Sequence, residues 1–354
     1  MRRITQVAVA LAALLLVQAL NGCQKEEAGN RQAETTTAIQ ASTPRYLAAT
    51  GGKLYVSCYN PPSVVRLDTT TLQVEAICRL GNYQPEGMAI VGSRLFVAST
   101  WIQDEAGNAM YDNKVYVIDL GSFTVETTVE VGLNPQTVLS VDDRTVVVNS
   151  TGNYSSVPGS TTFIDVPTLT TTDAGVPLTG MATRSGMVYG YNAPYGSSAV
   201  SFLALDPTTL QTTPLLTSAA IRNPYGITAA DSSLYICTGV YNANGDVARY
   251  RLDGTRLWKQ EAGVFTSKVV PLGDGTAYVL NQGTWGSSNA SLDRINLATG
   301  EIDRSIFASV NGRGLGDVAQ DALVYGSKAY VTVSFSNTVE TITITNNRSV
   351  QIAL

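Results

Sequence analysis

The chain has 354 residues, with 23 Lys and Arg against 28 Asp and Glu, a formal charge of −5, and no histidine. An acidic chain lacks the basic face that neutralises phosphates, which argues against nucleic-acid binding. The absence of histidine removes the commonest general base, His-based triads and the usual zinc and copper ligand sets.

The first element in chain order reads as an export signal: Arg2 and Arg3, an apolar core from Val7 to Leu20, then Asn21 and Gly22 before Cys23. Its core is shorter than the roughly 20 residues of a membrane-spanning helix. The Leu-Asn-Gly-Cys step resembles a bacterial lipobox. That resemblance implies removal of residues 1–22, acylation of Cys23 and a chain anchored to a membrane rather than spanning it. An ordinary secreted chain with an incidental cysteine is the alternative. Gln24-Lys25-Glu26-Glu27 resembles the signal that sends lipoproteins to the outer face of the outer membrane in one group of Gram-negative bacteria, the alternative being a plain solvated tether. Residues 23–44 read as that tether, since from Ala28 to Thr43 Ile39 is the one large apolar side chain among Asn, Gln, Glu, Thr and other polar or small residues. Loss of residues 1–22 moves the formal charge from −5 to −7, because Arg2 and Arg3 go with them.

From residue 45 onward the chain repeats itself. A short aromatic or β-branched run recurs seven times, at Tyr55-Val-Ser-Cys, Phe96-Val-Ala-Ser, Val146-Val-Val-Asn, Val188-Tyr-Gly-Tyr, Tyr235-Ile-Cys-Thr, Tyr278-Val-Leu-Asn and Tyr330-Val-Thr-Val. Each reads as a strand. A second strand then ends in a turn at Asp68, Asp119, Asp165, Asp206, Asp253 and Asn296, spaced by 51, 46, 41, 47 and 43 residues. Short strands at that spacing, without helical periodicity, predict an all-β chain: a seven-bladed β-propeller of four-stranded blades over residues 45–354, with no second domain. In the second unit the strands are expected at Met88–Val91, Arg94–Ser99, Lys114–Asp119 and Val125–Val131, with a long loop between the middle two. The last unit can supply its own outer strand from Arg348 to Leu354.

Cys58, Cys78 and Cys237 lie inside strand-like runs and read as buried apolar residues. Cys58 and Cys78 fall on the second and fourth strands of the first blade, about 10 Å apart across a third, which is beyond the reach of a disulfide.

The runs YVSC, YICTG, YVLNQ and YVTVS resemble the YVTN repeats of YncE-like seven-bladed propellers, and the likeness covers all seven units. These motifs specify packing, so the resemblance implies fold and not function.

In a propeller, the loops joining the second strand to the third, and those joining one blade to the next, share one rim. They bring together Tyr59, Tyr83, Trp101, Tyr111, Tyr154, Tyr191, Tyr195, Arg222, Tyr225, Tyr241, Phe265, Trp285, Arg313 and Phe335 as candidate ligand-binding residues. About half of these rings are expected to cover blade ends instead. The Asp-to-Leu turns of the opposite rim hold one aromatic, Phe123.

Tyr, Trp and Asn together describe a broad, partly flat ligand rich in amide or hydroxyl groups. Charge at this rim is sparse, with Glu86, Asp104, Glu105, Arg222, Asp246 and Arg313 its main members, so a small polyanion is disfavoured. An oligosaccharide stacked on Trp101 and Trp285 fits, as does a corrinoid. The lipoprotein signal with a YncE-like propeller resembles the cobalamin-capturing lipoproteins partnered with TonB-dependent transporters. That resemblance implies non-catalytic capture of cobalamin at the outer membrane, facing the cell exterior. Without histidine, intact cobalamin would be held by its periphery. A glycan-binding or protein-interaction propeller is the alternative.

No cofactor and no metal are expected. A carboxylate-only enzyme built from Asp104, Glu105, Asp112 and Asp246 lacks a repeated spacing. The loop with Asp104, Glu105, Asn108 and Asp112 departs from EF-hand calcium spacing. Single-stranded DNA binding lacks its positive groove.

Overall fold

The computed structural model describes residues 41–104, 106–195, 198–217 and 221–354. The signal segment 1–22, Cys23, the tether as far as residue 40 and Glu105 lie outside the described residues.

Twenty-eight strands form seven antiparallel four-stranded sheets, each from one contiguous segment with strands in sequence order. The first sheet holds β1 Ser42–Thr50, β2 Lys53–Asn60, β3 Pro62–Asp68 and β4 Val74–Arg79. The second holds β5 Tyr83–Val91, β6 Arg94–Gln103, β7 Ala109–Asp119 and β8 Thr124–Glu130. The third holds β9 Pro135–Ser140, β10 Thr145–Ser150, β11 Ser160–Asp165 and β12 Thr171–Asp173. The fourth holds β13 Gly180–Arg184, β14 Met187–Asn192, β15 Ser201–Leu205 and β16 Thr212–Leu215. The fifth holds β17 Pro224–Ala230, β18 Ser233–Val240, β19 Ala243–Arg251 and β20 Arg256–Val264. The sixth holds β21 Thr266–Pro271, β22 Thr276–Asn281, β23 Ser291–Asn296 and β24 Ile302–Asp303, followed by a short helix, α1 Ile306–Asn311. The seventh holds β25 Ala319–Tyr325, β26 Lys328–Val333, β27 Thr338–Thr343 and β28 Ser349–Ala353. The first strands of successive sheets touch one another in turn, and β25 touches β1, so the sheets close a seven-bladed propeller around a central channel.

The repeated aromatic and β-branched runs all fall on the second strand of a blade, and their leading residues are buried, from Tyr55 and Phe96 to Tyr278 and Tyr330. They read as unbroken apolar runs because both faces of each blade are covered. On β6, Leu95 and Val97 pack toward Tyr55 and Cys78 of the first blade. Their neighbours Phe96 and Ala98 pack toward Val146 and Val148 of the third. The two-residue strand period splits one run between two cores. Full burial of a single Val or Leu side chain contributes about 1.5–3 kcal/mol, which makes the inter-blade cores the main stabilising term.

The turns at the ends of the third strands share one design. Oδ1 of Asp68 accepts the amides of Thr70 and Thr71, and Asp119, Asp165 and Asp206 make the equivalent contacts with Ser122, Thr168 and with Thr208 and Thr209. Four residues after each Asp the backbone turns left-handed, at Leu72 (φ 60°), Phe123 (55°), Leu169 (57°) and Leu210 (56°). Glycine would adopt that conformation with less strain, and Gly300 does so after Asn296. Leu72, Phe123, Leu169 and Leu210 occupy it because each packs its side chain onto an inter-blade core.

Two boundaries differ from the sequence reading. The first strand begins at Ser42, so the last residues assigned to the tether belong to the propeller, and Ala41 is already buried in its core. In the second blade β6 and β7 run far beyond the expected strands. Trp101 pairs with Tyr111, Ile102 with Met110 and Gln103 with Ala109, so most of the expected long loop is a projecting hairpin. Cys58 pairs across from Ser63 and Cys78 from Val64, which puts β3 between them, and all three described cysteines are free and buried.

The ring closes without exchanging a strand between its ends, since β28 is the outer strand of the last blade. Side chains join the seam instead. Thr332 Oγ1 donates to the Arg45 carbonyl (2.7 Å), Ser334 Oγ to the Pro44 carbonyl (2.6 Å) and Lys328 Nζ to the Thr69 carbonyl (2.7 Å). Beneath them Leu54, Val56 and Val65 share a core with Tyr330 and Val339.

Candidate functional site

Antiparallel connectivity sends the links between second and third strands, and the links between blades, to one end of the ring. Among the described residues seven aromatic side chains are exposed: Tyr111, Tyr154, Tyr195, Tyr225, Tyr241, Trp285 and Phe335. All seven sit at that end. Phe123, at the other end, is buried against Tyr55 with the Arg66 guanidinium over its ring.

The exposed rings join half-buried ones in edge-on and tilted contacts around the rim. Tyr59 meets Trp101 between the first two blades, with centroids 6.4 Å apart. Tyr111, Tyr154 and Tyr195 form a row across the second, third and fourth blades, at 6.2 and 5.6 Å. In the fifth blade Phe265 holds Tyr225 at 4.4 Å and Tyr241 at 6.2 Å. Trp285 and Phe335 meet at 5.9 Å between the sixth and seventh. These are favourable ring geometries, so each ring is held in place by another before any ligand arrives.

Other candidates lie elsewhere or are already engaged. Tyr191 is only 2 % exposed, packed at 5.7 Å against Phe202 in the core between the fourth and fifth blades, and does not reach the rim surface. Tyr83 packs at 5.2 Å on Tyr116. The Arg313 guanidinium is taken up by both carboxylate oxygens of fully buried Glu340, at 2.8 and 2.7 Å, and lies over Phe307. Arg222 is exposed and makes no ion pair with a described residue. Asp104 accepts the backbone amide and side-chain amide of Asn108, which uses its carboxylate to shape the hairpin tip and leaves it poorly placed to ligate an ion.

A set of site residues absent from the sequence reading comes from bulges in the innermost strands. One extra residue interrupts the ladder after Pro44, Pro85, Pro135, Pro224, Thr266 and Ala319, in six of the seven blades. A bulge re-aims the side chain it carries. The residues that follow those positions are Arg45, Glu86, Gln136, Tyr225, Ser267 and Gln320. Four of them belong to one hydrogen-bonded chain across the channel mouth. Arg45 grips Glu86 through Nη2 (2.9 Å) and Nε (3.3 Å), and its Nη1 donates to Gln320 Oε1 (2.9 Å). Gln282 Nε2 shares that acceptor at 2.9 Å, and the Tyr225 hydroxyl donates to Gln282 Oε1 at 3.3 Å. The Tyr59 hydroxyl also donates to Glu86, and the Arg45 guanidinium lies 4.7 Å from the Tyr59 ring centroid. The sequence signal was there in the recurring Pro-x steps at the start of the innermost strands, but a bulge is a property of pairing and not of the strand alone.

Burial shapes the electrostatics of this mouth. It raises the Glu86 carboxyl above the usual range while Arg45 opposes it, and the two-pronged contact is that of an ion pair. Burial pulls the Arg45 guanidinium down, and Glu86, helped by Tyr46 and Tyr225, more than offsets this. Desolvation raises the Tyr225 hydroxyl although its ring is 43 % exposed, because the ring faces solvent while the hydroxyl points inward to Gln282. Tyr225 thus belongs to both groups, its ring to the crown and its hydroxyl to the channel chain.

The opposite end holds a groove of about 530 Å³ between the second and third blades, lined by Arg94, Asp119, Glu126 and Asp143 and by no aromatic. Arg94 is consumed there by Glu126 and by the Val166 carbonyl.

No family model matches the chain, and no curated protein does. Among solved structures it is similar to the computationally designed Ika8 protein, with a TM-score of 0.58 at 10 % identity over 89 % of this chain and 88 % of that one. It is also similar to Kuenenia stuttgartiensis hydrazine synthase (TM-score 0.46, 15 % identity, 89 % and 80 % covered) and to a chain of a nidogen/laminin complex (0.45, 14 %, 62 % and 81 %). At these identities the likeness concerns the fold.

Proposed function

We propose that this propeller is a non-catalytic capture protein that holds a flat, uncharged ligand rich in amide and hydroxyl groups on its aromatic rim, with a corrinoid such as cobalamin as the favoured ligand. The observation that carries this is the one-sidedness of the rim: every exposed aromatic side chain among the described residues lies at one end of the ring. An apolar crown of that kind without a partner is an aggregation liability, and loops on a rigid scaffold are the usual carriers of binding. The channel chain adds side-chain amides that both donate and accept. Anchored by lipid at Cys23 on the cell surface, such a protein would pass its ligand to an outer-membrane transporter, the role of the cobalamin-capturing lipoproteins it resembles.

Isothermal calorimetry with cyanocobalamin tests the ligand. Saturable binding, lost when Trp285 and Tyr225 are both replaced by Ala, supports it. A flat titration beside a positive glycan array moves the rim to carbohydrate, and silence in both overturns small-molecule capture in favour of a protein partner.

A further inference from the structure

We infer that the bulge residues act as a charge filter for the capture site, so that Arg45 and Glu86 together make the bowl select an uncharged ligand and reject anions and cations. This rests on the capture reading above. Bulges at corresponding places in six innermost strands supply Arg45, Glu86, Gln136, Tyr225, Ser267 and Gln320, a polar ring with one cation and one anion. The seven innermost strands carry only three other charges. Arg184 ends β13 at the opposite end of the channel. Lys268 and Asp321 each follow a bulge directly and pair with one another at 2.6 Å. Both signs are therefore matched twice among the innermost-strand residues at the mouth, and their charges sum to zero.

This balance matters because the pair is poorly solvated, with side-chain exposure of 17 % for Arg45 and 4 % for Glu86. A charge left unmatched in so poorly solvated a place is weakly screened, which is enough to set ligand preference. Arg45 is also the group through which the filter reaches the crown, since its guanidinium stacks on Tyr59 and Tyr59 touches Trp101. A ligand laid on those rings meets a guanidinium already neutralised by Glu86. An amide or hydroxyl finds donors and acceptors there, whereas a carboxylate or ammonium finds no unmatched partner for its charge among the innermost-strand residues.

The test uses the mature chain and its Glu86→Gln and Gln320→Glu variants, each first checked for a cooperative melt. Fluorescence titrations with anilinonaphthalene sulfonate, an anionic aromatic probe, and thioflavin T, a cationic one, read charge preference whatever the natural ligand is. The wild type should bind both weakly. Glu86→Gln should gain at least about ten-fold for the anion, and Gln320→Glu about ten-fold for the cation. The double variant Arg45→Gln/Glu86→Gln should return to the wild-type ratio. Cyanocobalamin and its monocarboxylic acid form a second arm: the wild type should favour the neutral compound and Glu86→Gln the acid. Failure of both cobalamins to bind the wild type overturns the corrinoid reading and leaves the dye ratios to judge the filter. Folded Glu86→Gln and Gln320→Glu variants with wild-type dye ratios would overturn the filter.

Discussion

The backbone amide of Leu47 donates to Asp321 Oδ2 at 3.0 Å across a sequence separation of 274 residues, and Lys268 Nζ reaches the other oxygen of the same carboxylate at 2.6 Å. One side chain of the last blade thus holds the first blade and the sixth. Asp321→Ala should destabilise the protein by about 1–3 kcal/mol, since it strands a buried N–H at the seam. Asp321→Asn should lose less, because it keeps an acceptor for Leu47. Urea unfolding checks this, and a stability for the Ala variant within error of the wild type would remove Asp321 from the closure.

Crown rings and core rings should respond oppositely to truncation. Trp285→Ala or Tyr154→Ala is expected to weaken ligand binding about ten-fold, roughly 1–2 kcal/mol, while leaving the melting temperature nearly unchanged. Tyr191→Ala should instead lower stability by about 3–5 kcal/mol by analogy with buried aromatic truncations, with little effect on the affinity of the fraction that folds. Parallel calorimetry and thermal melts separate the two classes.

The turn aspartates set the acid limb of stability. Backbone amides of Ser122 and Thr208 hold Asp119 and Asp206 below the usual carboxylate range; the Thr168 hydroxyl, then its amide, does so for Asp165, and Lys53 ahead of two amides for Asp68. A folded pKa below the unfolded one gives stability that is present above the ordinary value, near 3.9, and is lost as pH falls through the folded value. Asp293 has the opposite sign: burial raises it, so its contribution is present below its ordinary value and fades as pH rises. Melts from pH 7 to pH 2 should show a fall beginning near pH 4. Asparagine at the four turn positions keeps the capping acceptor and should flatten that fall; an unchanged acid limb would assign it to other carboxylates.

The thiols should be silent in the native protein. Burial pushes Cys58 and Cys237 up to about 12, and Cys78 also upward. Ellman's reagent should find no fast-reacting group among these three at pH 8, and three free thiols after unfolding without reductant. Two missing thiols would reveal a bridge.

Replacement of Cys23 by Ala should release the protein from the membrane fraction, and protease added to intact cells should digest the wild type. Protection of the wild type would point to a periplasm-facing anchor.

Much of the fold was legible in the sequence because its determinants are short. The Asp turn, the apolar second strand and the spacing of their recurrence each occupy a few residues, and they repeat. The crowded rim was legible too, since antiparallel connectivity alone decides which loops share an end. Distances along the chain could not say that Tyr191 turns into a core while Tyr195, four residues on, stands 55 % exposed. Nor could they say that Glu340 had already claimed Arg313. The bulges that aim Arg45, Glu86 and Gln320 at the channel arise when one strand carries an extra residue relative to its partner. The seam exists only because the first and last blades meet in space. Those features were decided by tertiary structure, because each depends on the partner a residue meets, and that partner is often a hundred or more positions away.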